Sequence, residues 1–249
     1  MDFSDLEQKL KNPQTTLMIL CNPHNPVGKI WDNETLARVG DLCHRYGVTV
    51  ISDEIHCSLT TPGKSYIPFA SVNETCQEVS VSCVAASKAF NLAGLQSACV
   101  YAKNPILRHK VWRGINTDEV GEPNAFAMRA NIAAYKYGGA WLDGLNAYIY
   151  ENKKYAVDFI NQKMPKLKVK LSDATYLLWV CVSEYSKNSK EFTEELRRES
   201  GLYISPGVEY GKCGDGFVRI NLATQRENVV DGMQRLYSYI KMLDEKAGK

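Results

Sequence analysis

The strongest constraint on the fold lies between residues 16 and 52, where a strand, a helix and a second strand follow one another. Thr16 to Cys21 (TLMILC) is an apolar run of strand length. The loop Asn22-Pro23-His24-Asn25-Pro26-Val27-Gly28 comes next. Its two X-Pro bonds can each be cis, and two so close together predict a rigidly shaped loop. Asp32 then opens a helix with Leu36, Val39, Leu42 and Tyr46 at helical spacing, and Gly47 ends it. Val48 to Ser52 (VTVIS) is the next strand, with Asp53-Glu54-Ile55-His56 at its end. Two strands joined through a helix run parallel, because a tight hairpin cannot connect them. The chain is therefore expected to be an α/β protein built on a mostly parallel sheet.

A second informative stretch is Val79 to Ala102. Val79, Val81, Cys83 and Val84 predict a strand, and Ser97 to Ala102 another. Between them, Ala85, Ala86, Ser87, Ala89, Ala93 and Gly94 are small and leave room for something flat and bulky. Lys88 lies in this connection. An open α/β sheet binds ligands at the C-terminal ends of its strands. Desolvation there favours a neutral amine able to form a Schiff base. Taken alone, Lys88 reads better as a solvated loop lysine, and only the residues that accompany it favour the other reading.

The remaining pattern divides the chain. Phe3 to Leu10 is a short amphipathic helix ended by Pro13, and Ile67 to Val72 contains a short helical turn. Pro105 begins a helix reaching about Ile115, and Pro123 another reaching Tyr137 with Phe126, Ala130, Ala133 and Ala134 inward. Trp141 to Met164 is a long helix stopped by Pro165. Beyond it the pattern becomes antiparallel α+β. Strands are expected at Val169 to Leu171, Tyr176 to Val182 and Phe217 to Leu222. Helices are expected at Ser189 to Ser200 and Gln225 to Glu245, with Thr224 and Glu227 spaced as a capping box. The domain boundary is placed near residue 150, giving a large domain over 1–150 and a small one over 151–249.

Composition narrows the function. The 249 residues are 45% apolar and 23% charged with a net charge of +2. These values fit a globular protein and give no charge signature of a nucleic-acid or membrane partner. No run of about 18 apolar residues predicts a membrane span, and the N-terminal residues do not read as a secretory signal. The eight cysteines form no C-x-x-C pair and are read as reduced, buried thiols of a cytoplasmic protein. Adjacent ligands at Cys43-His44 and His56-Cys57 do not match zinc spacing, so no metal site is expected. The segment Gly207 to Cys213 has the wrong spacing for a phosphate loop, and no dinucleotide fingerprint is present.

Four residues accompany Lys88 as candidates for chemistry. Asp53 ends an apolar strand, where it is an N-cap, a surface aspartate or a counter-ion for a protonated heterocyclic nitrogen. Asn25 either shapes its turn or donates its amide to a phenolate-like oxygen. His56 is a structural histidine or a neighbour of the same crevice. Arg219, between Val218 and Ile220, faces solvent or binds a carboxylate with its planar fork.

Together the motifs Asn25-Pro26-Val27-Gly28, Ser52-Asp53-Glu54-Ile55-His56, Ser87-Lys88-Ala89-Phe90-Asn91 and Phe217-Val218-Arg219-Ile220-Asn221 resemble the fold-type-I pyridoxal-phosphate enzymes. The runs CNPHNPVG, SDEIH and SKAFNLAGLQ are most similar to the MalY/PatB branch of class I/II aminotransferases, which contains cystathionine β-lyase-like carbon–sulfur lyases. The resemblance covers essentially the whole chain. It implies the C-terminal part of an aspartate-aminotransferase-like large domain plus a smaller α+β domain. It implies Lys88 as the Schiff-base lysine and general base, and Asp53 on the pyridinium nitrogen. Asn25 would sit on the phenolic oxygen with His56 near the ring, Ser87 on the phosphate and Arg219 on the substrate α-carboxylate. An amino-acid substrate and a homodimer follow from the same resemblance.

Two positions depart from the family pattern. Gln96 stands where an arginine often grips the phosphate, and Ala85 where a serine is common. Members also carry a substantial region before the strand at Thr16, so this chain is expected to be N-terminally incomplete, with four large-domain strands and an unprotected sheet edge. The expected activity is β-elimination from cysteine S-conjugates to pyruvate, ammonia and a thiol. The alternatives are an aminotransferase and a non-catalytic binding or regulatory module.

Overall fold

The computed structural model describes residues 1–247, which form two compact units. The first holds Met1–His24 and Lys29–Gly144, and the second holds Asn25–Gly28 and Leu145–Lys249.

The first unit begins with α1 (Phe3–Leu10), β1 (Leu17–Cys21), α2 (Asn33–Arg45) and β2 (Thr49–Asp53). Asp32 caps α2 by accepting the Thr35 N–H at 2.7 Å, and Gly47 leaves it at φ +67°. The helix buries Leu36, Val39, Leu42 and Cys43 against Leu20, Val48 and Val50. Each large aliphatic side chain buried there contributes about 1.5–3 kcal/mol. Then come α3 (Glu74–Val79), β3 (Ser80–Val84), β4 (Cys99–Tyr101), α4 (Pro105–Thr117) and α5 (Ala127–Tyr137). The sheet order is β1-β2-β3-β4, with parallel β1–β2 and β2–β3 pairs and an antiparallel β3–β4 pair. Both flanks are exposed, with Ile19 at 68% and Tyr101 at 53%.

Helix α6 (Gly139–Lys163) carries the division between the units. The second unit continues with β5 (Lys168–Val169), β6 (Leu177–Cys181), α7 (Ser189–Ser200), β7 (Ser205–Pro206), β8 (Phe217–Asn221) and α8 (Arg226–Ala247). Its antiparallel sheet has the order β5-β6-β8-β7. The inward face of β6 and β8 packs on α6, α7 and α8 through Ile160, Leu178, Val180, Leu196, Val218, Met233 and Leu236.

Several sequence expectations shift here. Val79 belongs to α3, a six-residue helix not foreseen, so β3 starts at Ser80. The strand expected over 97–102 shrinks to Cys99–Tyr101. The helix expected from Pro123 starts at Ala127, because Asn124 turns the chain with its side chain on the Phe126 N–H (2.9 Å). Phe126 is consequently 75% exposed, and Ala133 is exposed as well. Strand β7 was not foreseen, and the Thr224 hydroxyl accepts the Asn228 side-chain amide (2.9 Å). All eight cysteines are free. Cys43 and Cys76 are buried, but Cys99 and Cys213 are exposed.

Gly40 generates a test. It sits mid-helix in α2, where alanine would ordinarily stabilise by about 1 kcal/mol. A Cβ there would overlap the Cys76 sulfur. Gly40→Ala is therefore expected to cost about 1–3 kcal/mol by urea denaturation, and Cys76→Ala in the same chain should recover most of it. A stabilising Gly40→Ala would contradict this packing.

Candidate active site

Within the first unit, three strand ends are brought into one row. The register pairs Cys21 with Asp53 and Asp53 with Cys83. The pairing continues one residue past the strands, where Asn22 N–H donates to the Asp53 carbonyl (3.0 Å) and Glu54 N–H to the Cys83 carbonyl (2.9 Å). The proline loop, the Asp53–His56 turn and the connection holding Lys88 therefore start from the same edge of the sheet.

Asp53 is half-buried, and its Oδ1 accepts the Ile55 N–H at 3.1 Å. Lys88 is also half-buried, in a turn closed by Phe90 N–H on the Ala86 carbonyl (2.9 Å). Among the described residues, neither the Lys88 amine nor the Asp53 carboxylate is engaged in an ion pair. An amine and a carboxylate free of ion pairs, on loops that leave the same end of adjacent parallel strands, form a donor set that fits an aldehyde-bearing heterocycle with a basic nitrogen. Ser87 is half-buried beside Lys88, and His56 is buried in the turn after Asp53, its carbonyl accepting the Leu59 N–H (3.0 Å).

Glu54, 4% exposed, anchors this edge from below. Its Oε1 accepts from Ser52 Oγ (2.8 Å), Phe69 N–H (3.2 Å) and Ser82 Oγ (3.3 Å), which ties β2, β3 and the 69–71 turn to one carboxylate. Burial, then the Glu54 charge beside it, pushes the Tyr66 phenol well above its ordinary range. Burial likewise raises the Cys83 thiol, with Asp53 and Glu54 adding to it. Sequence reasoning missed Glu54. The available signal was its phase, since Val50, Ser52 and Glu54 alternate onto the buried face.

The second unit carries Asn25 and Arg219. Arg219 is half-buried on β8, on the face opposite Val218 and Ile220. Its Nη1 donates to Asn25 Oδ1 (3.3 Å) and its Nη2 to Ser205 Oγ (3.4 Å), and the guanidinium lies 4.7 Å over the Tyr210 ring. Tyr210 also meets Trp179, the cross-strand partner of Arg219, edge to face. Among the described residues no carboxylate pairs with Arg219. A positioned fork with no carboxylate on it has the geometry to receive an anion. Because Oδ1 of Asn25 is taken by Arg219, its Nδ2 is the donor left to a ligand. Ser205 and Tyr210 were missed in sequence, since only the β7–β8 register and the turn after β7 bring them to Arg219.

The loop of Asn25 is held from the other side. Both Asn22-Pro23 and Asn25-Pro26 are cis. Gly28, at φ +71°, accepts the Ala174 N–H on its carbonyl (2.9 Å), and a Cβ on it would come within 2.5 Å of the Ala174 carbonyl oxygen. Lys153, 1% exposed, donates its ammonium to the carbonyls of Ser172 (3.1 Å), Ala174 (3.2 Å) and Thr175 (3.2 Å).

The α/β unit with its mostly parallel sheet and the α+β unit with its antiparallel sheet are those of the pyridoxal-phosphate-dependent aminotransferase fold. The family model for aminotransferase class I and II matches residues 1–236, and the chain belongs to that family. It is 41% identical over 236 residues to the cystathionine β-lyase PatB of Bacillus subtilis (strain 168), covering 95% of this chain and 61% of that protein. It is 33% identical over 241 residues to the protein MalY of Escherichia coli (strain K12), covering 96% and 61%. Among solved structures, it matches cystalysin from Treponema denticola, which contains pyridoxal 5'-phosphate, at a TM-score of 0.94 and 30% identity. That match covers 98% of this chain and 62% of cystalysin. The PLP-bound C-S lyase from Staphylococcus hominis matches at 0.88 and 34%, covering 96% and 61%. The chain thus spans about three fifths of the length of the curated relatives it matches.

Burial, opposed by the Asp173 charge, pulls Lys153 from its ordinary 10.5 down to about 8. Between those values the unfolded chain binds more protons than the folded one, so stability rises with pH across that window. The stability of wild type relative to Lys153→Met is expected to increase by roughly 3 kcal/mol from pH 8 to 10.5 in denaturant titrations. A difference that stays flat would contradict the burial of the ammonium.

Proposed function

We propose that this chain belongs to a pyridoxal-phosphate-dependent carbon–sulfur β-lyase. The proposed substrates are cysteine S-conjugates of the cystathionine type, and the products are pyruvate, ammonia and a thiol. The observation that supports the reading is the register pairing Asp53 with Cys83, which starts the Asp53 turn and the connection holding Lys88 from the same end of the sheet, with neither charged group in an ion pair among the described residues. The names and bound groups of the relatives support the same activity. Residues 1–150 are the proposed cofactor-binding domain and 151–249 the small domain.

When bound, pyridoxal phosphate supplies an aldehyde for an amine and a sink for the electrons left when a substrate α-proton departs. Lys88 is the residue that would hold it covalently. Asp53 would keep a ring nitrogen protonated by placing a carboxylate beside it. The Nδ2 of Asn25 would donate to the phenolic oxygen, Ser87 to the phosphate, and His56 would border the ring. Arg219 would grip the α-carboxylate with its fork, fixing which substituent of the α-carbon is presented for reaction. The Lys88 Nζ would also serve as the general base that takes the substrate α-proton. Cleavage of the C–S bond then releases the β-thiolate with its electron pair, and water completes the conversion to pyruvate and ammonia. A cytoplasmic location and a homodimer belong to the same proposal. In support of the dimer, Trp112, Phe126, Ile132, Tyr137 and Trp141 are all exposed on α4 to α6 and the turn before α5. No described helix is long and apolar enough to cross a membrane.

Adding pyridoxal phosphate is expected to produce a visible absorption band in the wild-type protein and not in Lys88→Ala. The variant should lose at least about 10²–10⁴-fold in pyruvate release from L-cystathionine. Keto-acid-dependent turnover without pyruvate release would replace the lyase with an aminotransferase. A band that persists in Lys88→Ala would remove Lys88 from its role.

A further inference from the structure

Lys153 has no part in the chemistry described above, and its environment is costly. An ammonium is held almost fully buried on α6, where it meets three backbone carbonyls of one short turn, with the Asp173 charge nearby. An apolar side chain of similar length would fill the same space without desolvating a charge. The turn itself is strained. Thr175, a buried β-branched residue, stands at φ +66°, a conformation that persists only where surrounding contacts enforce it. Lys153 takes its carbonyl, and the Thr175 hydroxyl accepts the Leu177 N–H (3.2 Å).

The contacts of this turn lead to Arg219. Ala174, whose carbonyl is held by Lys153, donates its N–H to Gly28 (2.9 Å). The approach leaves no space for a Cβ on Gly28, which would lie 2.6 Å from the Ser172 Cβ as well as 2.5 Å from the Ala174 oxygen. A displacement of the turn therefore displaces the loop. The same four-residue loop, Asn25–Gly28, is part of this unit and carries the Oδ1 that accepts from the Arg219 guanidinium. The neighbouring Asn152 fixes the far end of β8 by donating to the carbonyls of Leu222 (3.1 Å) and Thr224 (2.9 Å). Two consecutive residues of α6 thus hold both the strand bearing Arg219 and the turn backing its partner.

We propose that Lys153 is a positioning residue of the Arg219 carboxylate receptor, acting through the 172–175 turn and the Asn25–Gly28 loop. The proposal rests on the reading of Arg219 as the receptor for a substrate α-carboxylate. Two readouts test it. One is hydrogen exchange at the Ala174 amide. The other is the affinity of the cofactor-loaded protein for L-alanine, which has no β-leaving group, compared with ethylamine, which has no carboxylate.

Lys153→Met is expected to speed Ala174 exchange and to weaken L-alanine binding, each about ten-fold, with ethylamine binding unchanged. In L-cystathionine turnover the loss should appear mainly in KM. Lys153→Arg should restore most of both. Gly28→Ala keeps the ammonium but pushes the turn away, and should produce the same pair of effects, so the test does not depend on Lys153→Met folding. Arg219→Ala should abolish the preference for L-alanine and leave Ala174 exchange unchanged. If Arg219→Ala loses that preference while Lys153→Met or Gly28→Ala keeps it, the positioning role is overturned alone. If Arg219→Ala retains it, the receptor reading falls, and the positioning role with it.

Discussion

The parallel register of β1, β2 and β3 is the constraint on which the sheet end carrying Asp53 depends. It aligns Cys21, Asp53 and Cys83 in one row. Two further backbone hydrogen bonds extend the row past the strand ends, from Asn22 to Asp53 and from Glu54 to Cys83. Because the strands run the same way, three different loops emerge at the same edge. A one-residue slip would turn Asp53 to the opposite face and bring Glu54 into its place. Such a slip is opposed by the buried face of β2, where Val50, Ser52 and Glu54 each have a fixed environment.

Two buried charges perform related work in the two units. Glu54 gathers a β2 hydroxyl, a β3 hydroxyl and a turn amide around one oxygen. Lys153 gathers three carbonyls around one ammonium. Each is hydrogen-bonded in several directions, the condition under which a buried ionisable group is tolerated. Asp53 follows Ser52 and precedes Glu54 with only its own loop on its carboxylate, and Asn25 turns its carbonyl to Arg219 while keeping its amide.

Much of this arrangement was legible from the chain. The β1-α2-β2 unit follows from apolar periodicity, the Asp32 cap and the Gly47 exit, all of which are local signals. Asp53 and Arg219 were singled out as charges set against apolar strand residues, and Lys88 as a lysine among small residues between two strands. What was not legible depended on non-local contact. Helix α3 is only six residues long and runs into β3 with no intervening breaker, so Val79 reads as strand. Ser205 and Tyr210 are separated from Arg219 in sequence and reach it only through the sheet register and the following turn. Lys153 was overlooked beside the exposed Lys154, although it lies on the buried stripe of Ile149, Ala156 and Ile160 at helical spacing.

The central claim is that the Lys88 amine is the group that takes the cofactor. Reductive trapping tests it directly. The protein is incubated with pyridoxal phosphate, reduced with borohydride, digested, and mapped by mass spectrometry. A single stable adduct is expected on the peptide containing Lys88. An adduct confined to another lysine, or a Lys88 peptide that stays unmodified while the protein is labelled elsewhere, would contradict it.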